Sequence, residues 1–310
     1  MESWSSIFGY LYSLNRFLSP WNIESPLIDT SICCDKIAPM SPKDKELRLL
    51  KIIEQYTSSI VAFSGGVDSS YLAFIANRVM GEEARIVTAL SASVSQIQKN
   101  LAREFAITYK LNHHFIHTEE MEDPRYTANP TNRCYFCKSE LYDALIELKE
   151  KWEVDVIFDG SNADDVGDYR PGRTAAHEAS VKSPLIEAGI RKEDLRLLSK
   201  DWGLPTWNLP AMPCLSSRLP YGVEVTAERL GQIEEAESFI RSLGFRDFRV
   251  RHHDSLARIE IARGELNKIM SLGLFKTIDE HLKSLGYQYV TLDLQGFRSG
   301  SLNELLDLQT

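Results

Sequence analysis

Apolar residues along the chain fall into short uniform runs separated by helical spacings, and this rhythm predicts alternating strands and helices. Ile60-Val61-Ala62-Phe63 is apolar throughout rather than alternating, the pattern of a parallel strand covered on both faces. Gly65-Gly66 follow, and Tyr71–Ala76 resume as an apolar helix. Arg85–Leu90 then reads as a second strand, Ser93 to Thr108 as a helix and His114–His117 as a third, short strand. Tyr142–Lys151 predicts a helix and Val154–Phe158 a fourth strand that ends at Asp159-Gly160. Upstream, Ser41-Pro42 predicts an N-cap with proline at the first helical position, opening a helix to Tyr56. Strands and helices at this spacing mean a doubly wound parallel sheet, whose ligands bind at the carboxyl ends of the strands. Both glycine turns, after Phe63 and after Phe158, fall on that edge.

Ser161 to Tyr221 differ in character. Asn162-Ala163-Asp164-Asp165 and Arg170-Pro171-Gly172-Arg173 read as polar loops at the ligand edge. A helix over Lys192–Trp202 and the proline-rich run Leu209–Cys214 come next. A second unit starts near Glu224, with a helix from Thr226 to Leu243 and alternating strands at Phe248–Arg251 and Ala257–Ile261. Two further helices and Tyr287–Val290 close it as a small α/β domain. The expected organisation is therefore an N-terminal extension over residues 1–42, a sheet domain over 43–221 and a C-terminal α/β domain over 222–310. The extension is aromatic-rich and broken by prolines. Its neighbours Cys33 and Cys34 read as incidental, since adjacent cysteines rarely serve one metal.

Composition narrows the class. With 310 residues, 43% apolar and 25% charged, the chain resembles an ordinary globular protein, and its net charge of -9 draws it to neither nucleic acid nor an anionic membrane. No apolar run approaches the roughly 20 residues of a membrane helix. No basic stretch followed by an apolar block stands at the N-terminus, which predicts a cytoplasmic protein. Five cysteines without a secretory signal predict reduced thiols, a metal or a cluster rather than a disulfide framework.

The turn Ser64-Gly65-Gly66-Val67-Asp68-Ser69-Ser70 carries the first chemistry. Strand, glycine turn and helix N-terminus together form an anion-binding geometry, to which three serines add hydroxyl donors. The glycine spacing excludes a Walker A loop. The segment resembles the SGGxDS loop of the PP-loop ATP pyrophosphatases. That resemblance implies an adenine nucleotide alpha hydrolase-like fold, with ATP and Mg²⁺ held by Ser64, Gly65, Gly66, Asp68, Ser69 and Ser70. The second chemistry is the CxxC of Cys134 and Cys137, with Cys214 in another ligand-edge segment. Three thiolates suit a [4Fe–4S] cluster with one iron left open, and independent catalytic thiols or a zinc role remain alternatives. Flanking Arg133 and Lys138 would favour thiolates in each case.

From Lys45 to Asn303 the chain resembles the ATP-dependent sacrificial sulfur transferase (LarE) family. The carriers are the loop at Ser64–Ser70, RCYFCK at Arg133–Lys138, DGSNADD at Asp159–Asp165, RPG at Arg170–Gly172 and SPLIEAGI at Ser183–Ile190. PCLSSRLPYG at Pro213–Gly222, RVRHH at Arg249–His253, ARIEI at Ala257–Ile261 and GFRSGS at Gly296–Ser301 complete them. The resemblance implies adenylation of pyridinium-3,5-biscarboxylate mononucleotide and insertion of sulfur, for nickel-pincer nucleotide cofactor synthesis. In one branch the cysteine of the CLSSR motif gives up its own sulfur. In the other it joins a CxxC on a [4Fe–4S] cluster fed by a sulfide donor, and Cys134, Cys137 and Cys214 match that branch. Arg249 and Arg251 alternate on one strand, so both can face one phosphorylated acceptor. Arg218 and Arg298 resemble further anion contacts. Glu237 is either a residue on a solvated helix face or, by the resemblance, a site carboxylate. His252 and His253 could be nickel or zinc ligands, but adjacent histidines on a strand point to opposite faces, which favours packing roles. A homo-oligomer, a hexamer, is also implied. The rival enzyme class is a PP-loop tRNA thiolase with a [4Fe–4S] cluster, against which the acidic balance counts.

Overall fold

Ser41 opens the first helix as its sequence predicts. Its hydroxyl accepts from the Asp44 N–H while the Asp44 carboxylate accepts from the Ser41 N–H, closing a capping box on α1 (Pro42–Ile53). The computed structural model describes residues 40–166 and 171–298, the side chains of 271 and 272 apart. Most of the expected N-terminal extension, with Cys33 and Cys34, lies outside them, as do Arg170 and the last three residues of GFRSGS.

The chain continues through β1 (Ser59–Ala62), α2 (Val67–Met80), β2 (Ala84–Leu90), α3 (Gln96–Thr108) and β3 (Asn112–His117). Then come α4 (Pro124–Thr127), α5 (Arg133–Lys151), β4 (Val156–Phe158), α6 (Pro171–Glu178), α7 (Pro184–Glu187) and α8 (Lys192–Asp201). The four strands form one parallel sheet in the order β3-β2-β1-β4, with Ser59 of β1 opposite Ala84 of β2 and Val156 of β4. Val61 packs with Leu49, Leu72 and Phe105 on one face, while Ile60 packs with Tyr142, Leu145 and Ala175 on the other. Burial on both faces is why this strand is apolar at every position. The strand order reverses between β1 and β4, the switch point at which such sheets bind ligands. The doubly wound α/β architecture read from the sequence is the one observed.

Two glycines let the turns at this point close on their neighbours. Gly65 has φ +74°, and a β-carbon there would stand 3.1 Å from the Ala102 nitrogen. A β-carbon at Gly160 would stand 3.0 Å from the Ser69 nitrogen, so the turn after β4 lies directly against the start of α2.

A second sheet follows α9 (Ala227–Ser242), whose N-cap is Thr226. It comprises β5 (Phe248–His253) antiparallel to β6 (Leu256–Ile261), and β6 parallel to β7 (Tyr289–Leu292), with α10 (Leu266–Leu272) and α11 (Phe275–Ser284) in the crossover. Ile240, Phe248, Val250, Ile259 and Leu282 form its core. A smaller group of Tyr126, Leu215, Leu219, Val225, Leu230 and Ile233 joins α4 and the loop before α9 to α9 itself.

Helix α5 begins at Arg133 rather than Tyr142. Its first turns carry Cys134, Tyr135, Phe136 and Cys137, a cysteine–aromatic cluster without a clear apolar period. No glycine or proline interrupts it, and the CxxC lies in the first two turns of the helix.

Candidate active site

β1 delivers Ser64 to the carboxyl edge of the sheet, and α2 starts at Val67 with Gly66 at its N-cap and no side-chain cap. The first N–H groups of α2 thus lack a capping side chain. The Ser64 N–H donates to the Ser69 hydroxyl at 3.2 Å, and the two serine hydroxyls are 3.0 Å apart, which fixes the loop's curvature. Within this loop two buried oxygens have no hydrogen-bond partner among the described residues, Ser70 Oγ and Asp68 Oδ1. An orphaned buried polar atom costs about 1–3 kcal/mol, so a loop that keeps two of them is short of a ligand. A phosphate group and a divalent cation supply the donor and acceptor chemistry these atoms lack.

The remaining oxygen of Asp68, Oδ2, accepts from Lys192 Nζ at 2.5 Å. Burial raises the Asp68 carboxyl above its ordinary value and Asp165 adds to this, while Lys192 and Arg196 oppose it. The Lys192 N–H donates to Asp164 Oδ2 at 2.8 Å, and Arg173 donates to the Asp165 carbonyl at 2.9 Å. Asp159 accepts from the hydroxyls of Ser161 at 2.8 Å and Ser183 at 2.7 Å. The DGSNADD segment is therefore ordered by its own carboxylates beside the glycine loop. Lys192 escaped the sequence reading. Its signal is positional: a cation at the first residue of a helix sits at the end the macrodipole disfavours, so something other than helix stability places it.

Cys134 and Cys137 stand one turn apart at the start of α5, and Cys214 precedes the 3₁₀ turn Leu215–Arg218; all three are free thiols. The two segments are stapled together. Buried Arg133 donates to the Ser216 carbonyl at 2.9 Å and to the Asn129 side chain, and the Tyr126 and Ser216 hydroxyls are 2.6 Å apart. The Leu215 N–H donates to the Ser93 carbonyl at 2.8 Å, tying the Cys214 loop to the chain just beyond β2. Burial pushes the Cys137 thiol up to about 12, with Cys214 and Glu120 adding to it. The Cys134 thiol, though the residue is exposed, is also raised by the protein packed around it and by Cys214, against Arg133 and Lys138. Arg133 and Lys138 do act toward the thiolates as expected, but desolvation and mutual repulsion outweigh them. Among the described residues no group of three His, Cys, Asp or Glu side chains could hold a metal ion.

The arginines are largely engaged. Arg218 is buried, donates twice to Glu237 at 2.9 and 2.8 Å, and donates to the carbonyls of Pro213 and Cys214. Glu237 is 6% exposed, which excludes the solvated-face alternative. Arg251 donates to Glu260 at 2.8 Å and to the Ser217 carbonyl at 2.8 Å. Arg249 donates to the carbonyls of Phe248 and Ala211, lies 4.7 Å from the Phe297 ring centre and has no ion pair among the described residues. Burial lowers it to about 10, and Arg218, Arg251 and Arg241 add to this against Glu237. Arg241, whose Nε is buried without a partner, lies in the same cleft as Arg249, beside Gln98, Met212 and Glu234. Arg298 donates to the Gly296 carbonyl at 3.2 Å. His252 bonds Tyr287 at 3.1 Å in the second sheet's core, in keeping with a packing role.

A parallel sheet with a serine–glycine loop at its switch point, and three thiols gathered on the same edge, define the PP-loop α/β class. No family model matches the chain. Pyridinium-3,5-bisthiocarboxylic acid mononucleotide synthase of Lactiplantibacillus plantarum is 34% identical over 263 residues, 84% of this chain and 95% of its own. The chain belongs to the family of that synthase, the LarE family. An uncharacterised protein of Synechocystis is 43% identical over 80% of this chain and 92% of its own, and one of Methanocaldococcus jannaschii is 32% identical over 77% and 90%.

Proposed function

We propose that this chain is an ATP-dependent sulfur transferase of nickel-pincer nucleotide cofactor synthesis. It adenylates a carboxylate of pyridinium-3,5-biscarboxylate mononucleotide, inserts sulfur and releases pyrophosphate and AMP. The observation that carries the proposal is the meeting of Cys134, Cys137 and Cys214, from two separate segments, on the sheet edge that bears the glycine loop. The name of the Lactiplantibacillus relative supports the acceptor, because a bisthiocarboxylic product has exchanged carboxylate oxygen for sulfur.

A carboxylate cannot expel oxide, so its oxygen must first become a leaving group. Attack of that oxygen on the α-phosphorus forms the acyl-adenylate and breaks the bond to the β-phosphate. Pyrophosphate leaves against the N–H groups at the start of α2, and Asp68 would hold Mg²⁺, which would supply further neutralisation of its charge. A sulfur nucleophile then adds to the activated carbonyl carbon, and AMP departs with the original oxygen. Arg249, a buried cation without a carboxylate partner, is suited to the acceptor's phosphate. Cys134, Cys137 and Cys214 would hold a [4Fe–4S] cluster, with Arg133 and Lys138 offsetting its negative charge. Bound there, such a cluster supplies sulfide at its open iron.

ATP:pyrophosphate exchange tests the acceptor. Exchange with the biscarboxylate mononucleotide, and not with simple carboxylates, is expected; its absence overturns the assignment. Iron and sulfide analysis after anaerobic reconstitution tests the cluster. An iron-free protein, or a Cys214 that loses the mass of H₂S on turnover, overturns it in favour of Cys214 as the sulfur source.

A further inference from the structure

We infer that Lys192 is a mobile counter-ion, which neutralises Asp68 and passes to the phosphate oxygens when nucleotide and Mg²⁺ arrive. The inference rests on the ATP reading of the loop. Lys192 Nζ lies 2.5 Å from Asp68 Oδ2, and the two side chains are 37% and 24% exposed, so the ammonium group has an open route away from the carboxylate. The other oxygen, Asp68 Oδ1, is buried and unpartnered, so the lysine satisfies only half of the group. Asp165 adds negative charge nearby, while Arg196, the other cation acting on Asp68, is spent on the carbonyls of Trp207 and Leu209 at 2.8 and 2.9 Å. Of the two described cations that act on Asp68, Lys192 is the one able to change partners.

The main chain of Lys192 is fixed while its side chain is not. Its N–H is held by Asp164, and the Arg191 N–H donates to Asp194 at 2.9 Å. Asp194 is in turn paired with Lys45 at 2.6 Å, anchoring the start of α8 to α1. A flexible four-carbon stem on a fixed anchor suits transfer over a short distance, and lysine binds phosphate as a point charge without requiring a fixed plane. Asp68 lies in the first turn of α2, where the helix dipole already favours its charge. A hard divalent cation prefers that carboxylate to an ammonium group, and displacement of Lys192 frees one positive charge beside the incoming triphosphate. The lysine therefore opposes cation binding and assists the chemistry. These two effects have opposite signs on one substitution, which a purely structural lysine would not produce.

The test is Lys192→Met, compared with the full-length parent. Binding of α,β-methylene-ATP, which cannot be split at the α–β position, is followed by calorimetry against Mg²⁺ concentration, and pyrophosphate release is measured separately with ATP. The half-saturating Mg²⁺ concentration should fall about two- to five-fold, the worth of a partly exposed ion pair. Pyrophosphate release should slow by about 100-fold, as for loss of one preorganised charge donor. An unchanged or raised Mg²⁺ requirement overturns the counter-ion role, and an unchanged release rate overturns the transfer to phosphate. Should Lys192→Met fail to fold, Lys192→Gln carries the same two expectations. Failure of the parent to bind the analogue at any Mg²⁺ concentration would instead remove the ATP reading itself.

Discussion

Arg218 and Glu237 test how the Cys214 loop is held. Their side chains are 5% and 8% exposed, with two charge-assisted bonds between them. In Arg218→Met, Glu237 stays buried with the Val250 N–H at 3.1 Å and the field of Arg249 for compensation. Breaking a buried pair in this way costs about 3–5 kcal/mol. Glu237→Leu should cost as much, since it leaves Arg218 charged beside Arg249, which is already lowered to about 10 by burial and its cationic neighbours. The double variant removes both charges and should recover about 2 kcal/mol relative to the sum. Urea titrations with unchanged slopes give the three values. The pair also sets a pH dependence. Burial raises the Glu237 carboxyl, but Arg218 and Arg249 outweigh burial and hold it below its ordinary 4.5. A folded-state value below the unfolded one means a contribution that is complete above pH 4.5 and lost as pH falls through the folded value. Glu237→Gln should flatten that acid limb. Single variants within about 1 kcal/mol of the parent, or strict additivity, would refute the reasoning.

Three further outcomes are expected. Ser70→Ala removes a buried hydroxyl that has no partner in the empty protein, so urea stability should hold while nucleotide affinity weakens by about 0.5–1.5 kcal/mol. Gly160→Ala forces a methyl group to within 3.0 Å of the Ser69 nitrogen and should cost about 1–3 kcal/mol by thermal unfolding, with weaker nucleotide binding alongside. Glu46→Leu strands the Tyr71 hydroxyl and the Trp202 indole N–H, both 2.6 Å from Glu46 Oε1, and should cost about 2–4 kcal/mol by denaturant titration.

The parallel sheet and its glycine loop were legible because both-face burial and tight turns leave uniform apolar runs and glycines at fixed places. Ile60–Phe63 and Gly65-Gly66 are read directly from that rule. The start of α5 was not, because Cys134–Cys137 carries cysteines and aromatics where periodicity expects aliphatic residues. Lys192 was missed for a different reason: its partner Asp68 is 124 residues away, and no local pattern encodes a contact of that range. The engagement of Arg218 with Glu237 was likewise hidden, since helix α9 is weakly amphipathic and Glu237 in isolation looks like a surface acid.

Arg249 and Arg251 of the second sheet, and Arg218 from the turn before α9, hold carbonyls of the protein's own chain. Arg218 holds the carbonyls of Pro213 and Cys214, Arg249 that of Ala211, Arg251 that of Ser217, and Arg133 from the first sheet's side that of Ser216. Gln98 adds a bond to the Met212 carbonyl at 2.7 Å. A proline-rich loop has no ladder of its own, so these donors replace one, and the place of the Cys214 thiol is set jointly by both sheets. The four cations differ in their compensation. Arg218 and Arg251 face carboxylates and are electrically closed, and Arg133 lies beside two thiols. Among the described residues Arg249 hydrogen-bonds neutral carbonyls only, and the field of Glu237 is set against those of Arg218, Arg251 and Arg241, a costly arrangement for a buried charge. An anion therefore gains most at Arg249, and any bond it takes from Arg249 is one withdrawn from the Ala211 carbonyl. On the proposed role of Arg249, occupancy by the acceptor's phosphate and the setting of the Cys214 loop would be coupled through a single guanidinium group.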